Sequence, residues 1–124
     1  MSSTHALHEL SAFEAARRLQ RRELSAQAYV EACLDRIAER EPLIGAFAFV
    51  AADRAREQAR ELDRGALRGP LHGLTVGIKD VFDTRDMPTQ GGSEAFRGHQ
   101  PSIDAAVVAL LRSAGALMLG KTVT

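Results

Sequence analysis

Leu74-Thr75-Val76-Gly77-Ile78-Lys79 and, further on, Ala116-Leu117-Met118-Leu119-Gly120-Lys121 are the two runs that decide the fold. In the first, Leu74, Val76 and Ile78 alternate with Thr75, Gly77 and Lys79. A period of two sends successive side chains to opposite faces of a strand. The turn-rich Gly69-Pro70-Leu71-His72-Gly73 leads into it. Pro101-Ser102 then opens a helix whose stripe is Ile103, Val107, Leu110, Leu111 and Ala114, and Gly115 ends it. The second run, Ala116 to Leu119, is a second strand. Strand, helix, strand in that order implies a parallel pair joined by a crossover. Residues 83–101 carry Gly91, Gly92, Gly98, Pro88 and Pro101 and read as a long loop with room for a short hairpin.

Upstream, residues 11–64 read as helical. Ser11-Ala12-Phe13-Glu14 fits a capping box, in which Ser11 accepts from the Glu14 amide and the Glu14 side chain reaches back. Ser25 caps a second helix with Val30, Cys33, Leu34 and Ile37 on one face, and Pro42 is expected to stop it. The apolar stretch Leu43 to Val50 fits either a buried connector or the lead into a third helix. That helix is expected from about Ala51 to Arg64, with Ala52, Ala55, Ala59 and Leu62 inward. Asp53–Arg56, Glu57–Arg60 and Glu61–Arg64 are i, i+3 pairs on its wet side, and Gly65 terminates it.

Composition narrows the function classes. The 124 residues are 45% hydrophobic and 26% charged, with 16 basic against 16 acidic residues. Both the N-terminal 68 residues and the remainder are separately neutral, so no basic face argues for nucleic acid. Met1 to His5 lacks a basic segment before an apolar core, and no apolar run has membrane-spanning length. The single cysteine, Cys33, excludes an internal disulfide framework. These features point to a cytoplasmic protein with no membrane partner. His5, His8, His72 and His99 have no ligand spacing, so no metal site is expected.

Two motifs concern lysine. Only Lys79 and Lys121 among the 16 basic residues are lysines, and each closes one of the two opening runs. Arginine keeps its proton in a protein, whereas a desolvated lysine can lose it. The pattern points to a neutral-amine base, with Lys79 the better candidate because its strand face holds only a hydroxyl and a glycine beside it. A lysine at a strand end is more commonly solvated or ion-paired. Asp80 points to the other face, which leaves Asp83 and Asp86 as candidate partners. Gly115 to Thr122 matches the phosphate-loop pattern GxxxxGK[ST]. A true phosphate loop follows a strand and opens a helix; here a helix precedes the first glycine and the intervening residues are apolar. Lys121 is therefore read as a strand-end lysine near a site edge.

Taken as one block, residues 69–124 resemble the amidase signature family. The matching text is GPLHGLTVGIKD (69–80), VFDTRDMPT (81–89) and DAAVVALLRSAGALMLGKTVT (104–124), and REPLIGAFAFV (40–50) is similar to the family's N-terminal region. Thr75 departs from the pattern, standing where members commonly carry proline. The resemblance implies an α/β fold, the N-terminal part of an α/β/α sandwich with a mixed central sheet. Residues 1–68 would be its helical N-terminal region and 69–124 the start of the core. It also implies amide hydrolysis through a lysine, a cis-peptide serine and a nucleophilic serine. Lys79 matches the lysine, and both serines fall outside these residues. Ser93 and Ser102 do not sit in the matching motif. A small-molecule amide substrate, no cofactor and a possible homodimer follow from the same resemblance. The chain alone is expected to be inactive, and to be unstable or to associate through its open strand edges. Two other readings are an amidase-like component of a tRNA-dependent amidotransferase and a non-catalytic truncated remnant. DVFDTRDMPT (80–89) looks more like stand-alone amidases.

Overall fold

In the computed structural model, which describes residues 6–124, a 3-10 turn (Leu7–Glu9) leads into α1 (Ala12–Gln20), α2 (Ala26–Ile44), β1 (Phe47–Val50) and α3 (Ala52–Arg64). After a turn come β2 (Thr75–Lys79), a 3-10 turn (Glu94–Phe96), α4 (Ala106–Ser113) and β3 (Leu117–Thr122). His5 lies outside the described residues. The sheet runs β1-β3-β2, with β3 parallel to β2 and antiparallel to β1. It is therefore mixed, and the expected parallel pair with its crossover helix is present. Among the described residues no helix is long and apolar enough to cross a membrane.

β3 is buried on both faces, which explains its continuous apolar run. Leu117 and Leu119 join the core under α1, α2 and α3, with Leu19, Val30, Leu34, Ala55, Ala59 and Leu62. Ala116 and Met118 join a second core with Ile78, Met87 and Val108. Helices thus cover both faces of the sheet, as an α/β sandwich requires.

The helical region is tied together by reciprocal capping. The Asp63 carboxylate accepts from the Ala26 amide at 2.7 Å and the Gln27 amide at 3.0 Å, at the start of α2. Arg22, with φ at +58°, donates to the Gly65 carbonyl at 2.6 Å and the Asp63 carbonyl at 3.3 Å, at the end of α3. Only half of the expected capping box forms. Ser11 Oγ accepts from the Glu14 amide at 3.1 Å, but the Glu14 carboxylate turns to Arg17 and Arg18, at 2.8 and 2.9 Å. Those hydrogen bonds hold its pKa down to about 2.

Three expectations need correction. Pro42 does not stop α2, which continues to Ile44. The proline falls in the last turn, so the one i→i−4 bond it removes, to the Ala38 carbonyl, leaves only two helical residues beyond it. The helix ends at Gly45, left-handed at φ +62°, whose amide donates to the Glu41 carbonyl. Leu43 to Val50 is neither connector nor helix lead. The Glu41 carboxylate captures the amides of Ala46 and Phe47, at 2.6 and 2.7 Å, and turns the chain into β1. Residues 1–68 are therefore not purely helical.

The stripe of α4 is also rotated. Asp104 accepts from the Arg85 amide at 2.9 Å, and the Ala105 amide donates to the Asp83 carbonyl. This keeps residues 102–105 out of the helix and delays its start to Ala106. Val108 is then fully buried, while Ile103 and Leu110 are 72% and 71% exposed. On α3, Asp53–Arg56 forms at 3.6 Å, but Glu57 pairs with Arg54 instead of Arg60.

His72 closes the turn before β2. It is buried, and its Nδ1 accepts from the Arg68 amide at 3.1 Å, so Nε2 carries the proton. Burial, aided by the positive charge of Arg22, pushes its pKa below the ordinary 6.5, with Asp63 opposing. The unfolded chain thus takes up a proton that the native state refuses. Stability from this group is complete above pH 6.5 and is lost as pH falls below it. His72→Asn, whose Oδ1 replaces the accepting nitrogen, should flatten that part of a melting temperature–pH curve. A curve identical to the parent's would show that His72 is not the titrating group.

Candidate active site

Chemistry in a sheet with parallel strands collects at the carboxyl ends of the strands. Here those ends are Lys79 on β2 and Thr122 on β3, which are register partners. Lys79 is exposed, and among the described residues its side chain makes no hydrogen bond or ion pair. Its face of β2 carries Gly77, also exposed, and Thr75, whose hydroxyl lies 3.6 Å from Cys33 Sγ. A Cβ at Gly77 would sit 3.0 Å from the Thr122 methyl, so glycine lets these side chains close up. Neither proposed carboxylate partner reaches Lys79. Asp86 is held by Arg112 at 2.7 Å and Arg54 at 3.6 Å, and the Asp83 side chain is exposed.

Lys121 differs from its expected place. It lies inside the central strand with no exposed surface, not at a site edge. Its Nζ donates to Thr89 Oγ1 at 2.7 Å, the Pro88 carbonyl at 3.0 Å and Thr84 Oγ1 at 3.3 Å, and Asp80 Oδ1 lies 3.3 Å away. Each threonine hydroxyl gives its own proton elsewhere, Thr84 to the Met87 carbonyl and Thr89 to the Phe82 carbonyl. Every group facing Nζ is an acceptor, and an ammonium supplies three donors. Burial pulls the Lys121 pKa below its ordinary value, and the Asp80 hydrogen bond and charge offset this only in part. The four acceptors around Nζ suit the protonated form, in which Lys121 is pinned by its partners.

Asp80 was legible only as a poor partner for Lys79. It does point to the opposite face, where it is 3% exposed and faces Lys121. Thr84 and Thr89 carried no signal in the sequence. The cue for the group was a lysine embedded in an apolar strand, which demands buried acceptors. Ser93 Oγ accepts from the Ala95 amide and caps a 3-10 turn, and Ser102 is exposed in the loop before α4. The phosphate-loop match is strand from Leu117 to Thr122. Among the described residues no three His, Cys, Asp or Glu side chains converge as metal ligands.

The chain is thus an α/β protein with an unengaged lysine at the carboxyl end of a parallel strand. It belongs to the amidase signature family: the amidase family profile matches residues 28–124. It is 48% identical over 120 residues to a glutamyl-tRNA(Gln) amidotransferase subunit of Thermobifida fusca, covering 94% of this chain and 24% of that protein. It is 39% identical over 120 residues to the putative amidase AmiD of Mycobacterium tuberculosis, covering 94% of this chain and 25% of that one. The solved peptide amidase of Stenotrophomonas maltophilia superposes with a TM-score of 0.83 at 38% identity, over 92% of this chain and 24% of that one. The chain spans about a quarter of the length of these relatives.

Proposed function

We propose that this chain is the lysine-bearing segment of an amide-bond hydrolase, with Lys79 as the base of a lysine–serine–serine relay. The observation that carries the reading is the placement of Lys79. It stands at a strand carboxyl end, on a face cleared by Gly77, and among the described residues no partner competes for its amine. A neutral Lys79 amine accepts the proton of a bridging serine. That serine takes the proton of the nucleophilic serine as its oxygen attacks the amide carbonyl. The C–N bond then breaks, the relay returns a proton to the leaving nitrogen, and water hydrolyses the acyl-enzyme. Burial favours the neutral amine. Lys79 is exposed within these residues, so its cover and both serines come from other parts of the enzyme. The 124 residues alone are accordingly expected to turn over no amide.

A segment exchange tests this. Residues 1–124 replace the matching quarter of the Stenotrophomonas maltophilia peptide amidase, and release of ammonia from a peptide amide is followed. The hybrid should be active. A folded, inactive hybrid would count against the reading and favour a non-catalytic remnant. The 48% identity to an amidotransferase component favours a second reading, in which the same relay serves an amidotransferase. The same exchange into the Thermobifida fusca amidotransferase separates the two. Amidation of glutamyl-tRNA(Gln) there, without activity in the peptide amidase, supports the second.

A further inference from the structure

Lys79 sits between two immobilised neighbours. Ile78 is buried in the apolar layer with Met87, Val108 and Met118 and is the register partner of Lys121. Asp80 uses all of its polar groups. Its amide donates to the Thr122 carbonyl at 2.9 Å, and its carbonyl accepts from the Gly91 amide at 2.7 Å. Its carboxylate accepts from the Gln90 amide at 3.3 Å and faces Lys121. Three segments therefore meet at one buried carboxylate: the end of β2, the end of β3 and the loop at 89–91. Through Thr84, Pro88 and Thr89, Lys121 fixes that same loop from the other side.

We propose that Asp80 and Lys121 are positioning residues for Lys79. The pair lies across the sheet from the Lys79 amine, so it acts through the backbone and touches no substrate. It fixes the strand end from which the amine projects, leaving only the Lys79 side-chain torsions free. Placement of a base within hydrogen-bond reach of its proton source is what general-base catalysis depends on. This inference rests on the proposed role of Lys79.

A buried ion pair can often be replaced by uncharged groups of similar volume without loss of stability. A purely structural role therefore predicts that Asp80→Asn with Lys121→Met together leave Lys79 undisturbed. A positioning role predicts the reverse. In the whole protein, the double variant should lose at least ~10-fold in kcat with KM within about 2-fold, the split expected for an interaction used only in the transition state. Hydrogen exchange of peptides covering 78–81 should quicken by at least ~10-fold, the signature of local opening. Val30→Ala, in the other core, lowers the melting temperature without touching this strand and should leave both readouts near the parent's. Asp80→Asn alone, which leaves the buried Lys121 ammonium without its counter-ion, provides a second variant that should move both readouts at least as far in the same direction. Unchanged kcat and unchanged exchange in a folded double variant would overturn the proposal, as would equal changes in Val30→Ala. If exchange quickens while the parent shows no amide hydrolysis, the amidase reading fails and the placement of Lys79 by the pair stands.

Discussion

Gly120→Ala is expected to lower stability by about 3 kcal/mol, by overpacking a backbone contact that cannot yield. Gly120 lies in the central strand, opposite Gly77 on one side and Val50 on the other. A Cβ there would lie on the carbonyl oxygen of Phe49 and 3.0 Å from Val50 Cα. Both are backbone atoms of β1, so no side chain can swing aside. Both pairings of β3 shift register here, between Val76 and Gly77 and between Phe47 and Phe49. The irregularity draws β1 close, and glycine is what permits it. Gly98→Ala is the control. Its φ is +76° with nothing within 4 Å of the new methyl, so only the left-handed backbone penalty of ~1 kcal/mol applies. At roughly 4 °C per kcal/mol for a domain of this size, the two variants should melt about 12 and 4 °C below the parent. A Gly120→Ala protein melting with Gly98→Ala would show that β1 is not held against β3 in this way.

Gly120 also shows how far the sequence could be read. As a letter in GxxxxGK[ST] it invited a phosphate site, and the apolar residues around it rejected that site correctly. What replaces the phosphate reading, an inter-strand contact with β1, was hidden because β1 itself was hidden. Phe47 to Val50 follow a helix without a period of two long enough to announce a strand. The turn that creates the strand depends on Glu41 capturing two amides after Gly45, a local geometry with no signature in spacing. By contrast β2 was legible, because one of its faces is buried and the other open, and that asymmetry writes itself as alternation. The crossover was legible for the same reason: two β-like runs with a helix between them admit few connections. The face of α4 was not. Apolar periodicity fixes a stripe only once the first helical residue is known, and the ties of Asp104 to Arg85 and Ala105 to Asp83 moved that start to Ala106.

The two lysines show the same limit at the site. Burial was the sequence-level criterion for a base, and the structure buries Lys121 while exposing Lys79. Burial alone does not make a base. Acceptors around an amine favour its ammonium form and oppose the desolvation that lowers its pKa. The useful distinction is what the amine faces: four oxygen acceptors for Lys121, and for Lys79 an open strand end. Composition could flag both lysines as unusual in an arginine-rich chain, but only the hydrogen-bond geometry tells the pinned one from the available one.

Lys79→Ala should reduce kcat for amide hydrolysis in the whole protein by about 10³-fold, within the range for loss of a general base. That corresponds to about 4 kcal/mol of transition-state stabilisation. KM should change little, because in the proposed relay the amine acts on the relay proton and not on the bound amide. Lys79→Arg should be as inactive as alanine. It keeps the positive charge and much of the length, but a guanidinium cannot give up its proton to serve as base. An electrostatic role would instead be largely rescued by arginine, so the pair of variants separates the two mechanisms. Neither should lower the melting temperature by more than about 2 °C, since the side chain is exposed and makes no hydrogen bond or ion pair among the described residues. Lys121→Met gives the opposite profile. It leaves the Asp80 carboxylate buried without its counter-ion, so it should lose stability by about 3 kcal/mol or more before any effect on chemistry is considered. An enzyme in which Lys79→Ala retains a tenth of the parental kcat, or in which Lys79→Arg is active, would remove Lys79 from the role of base.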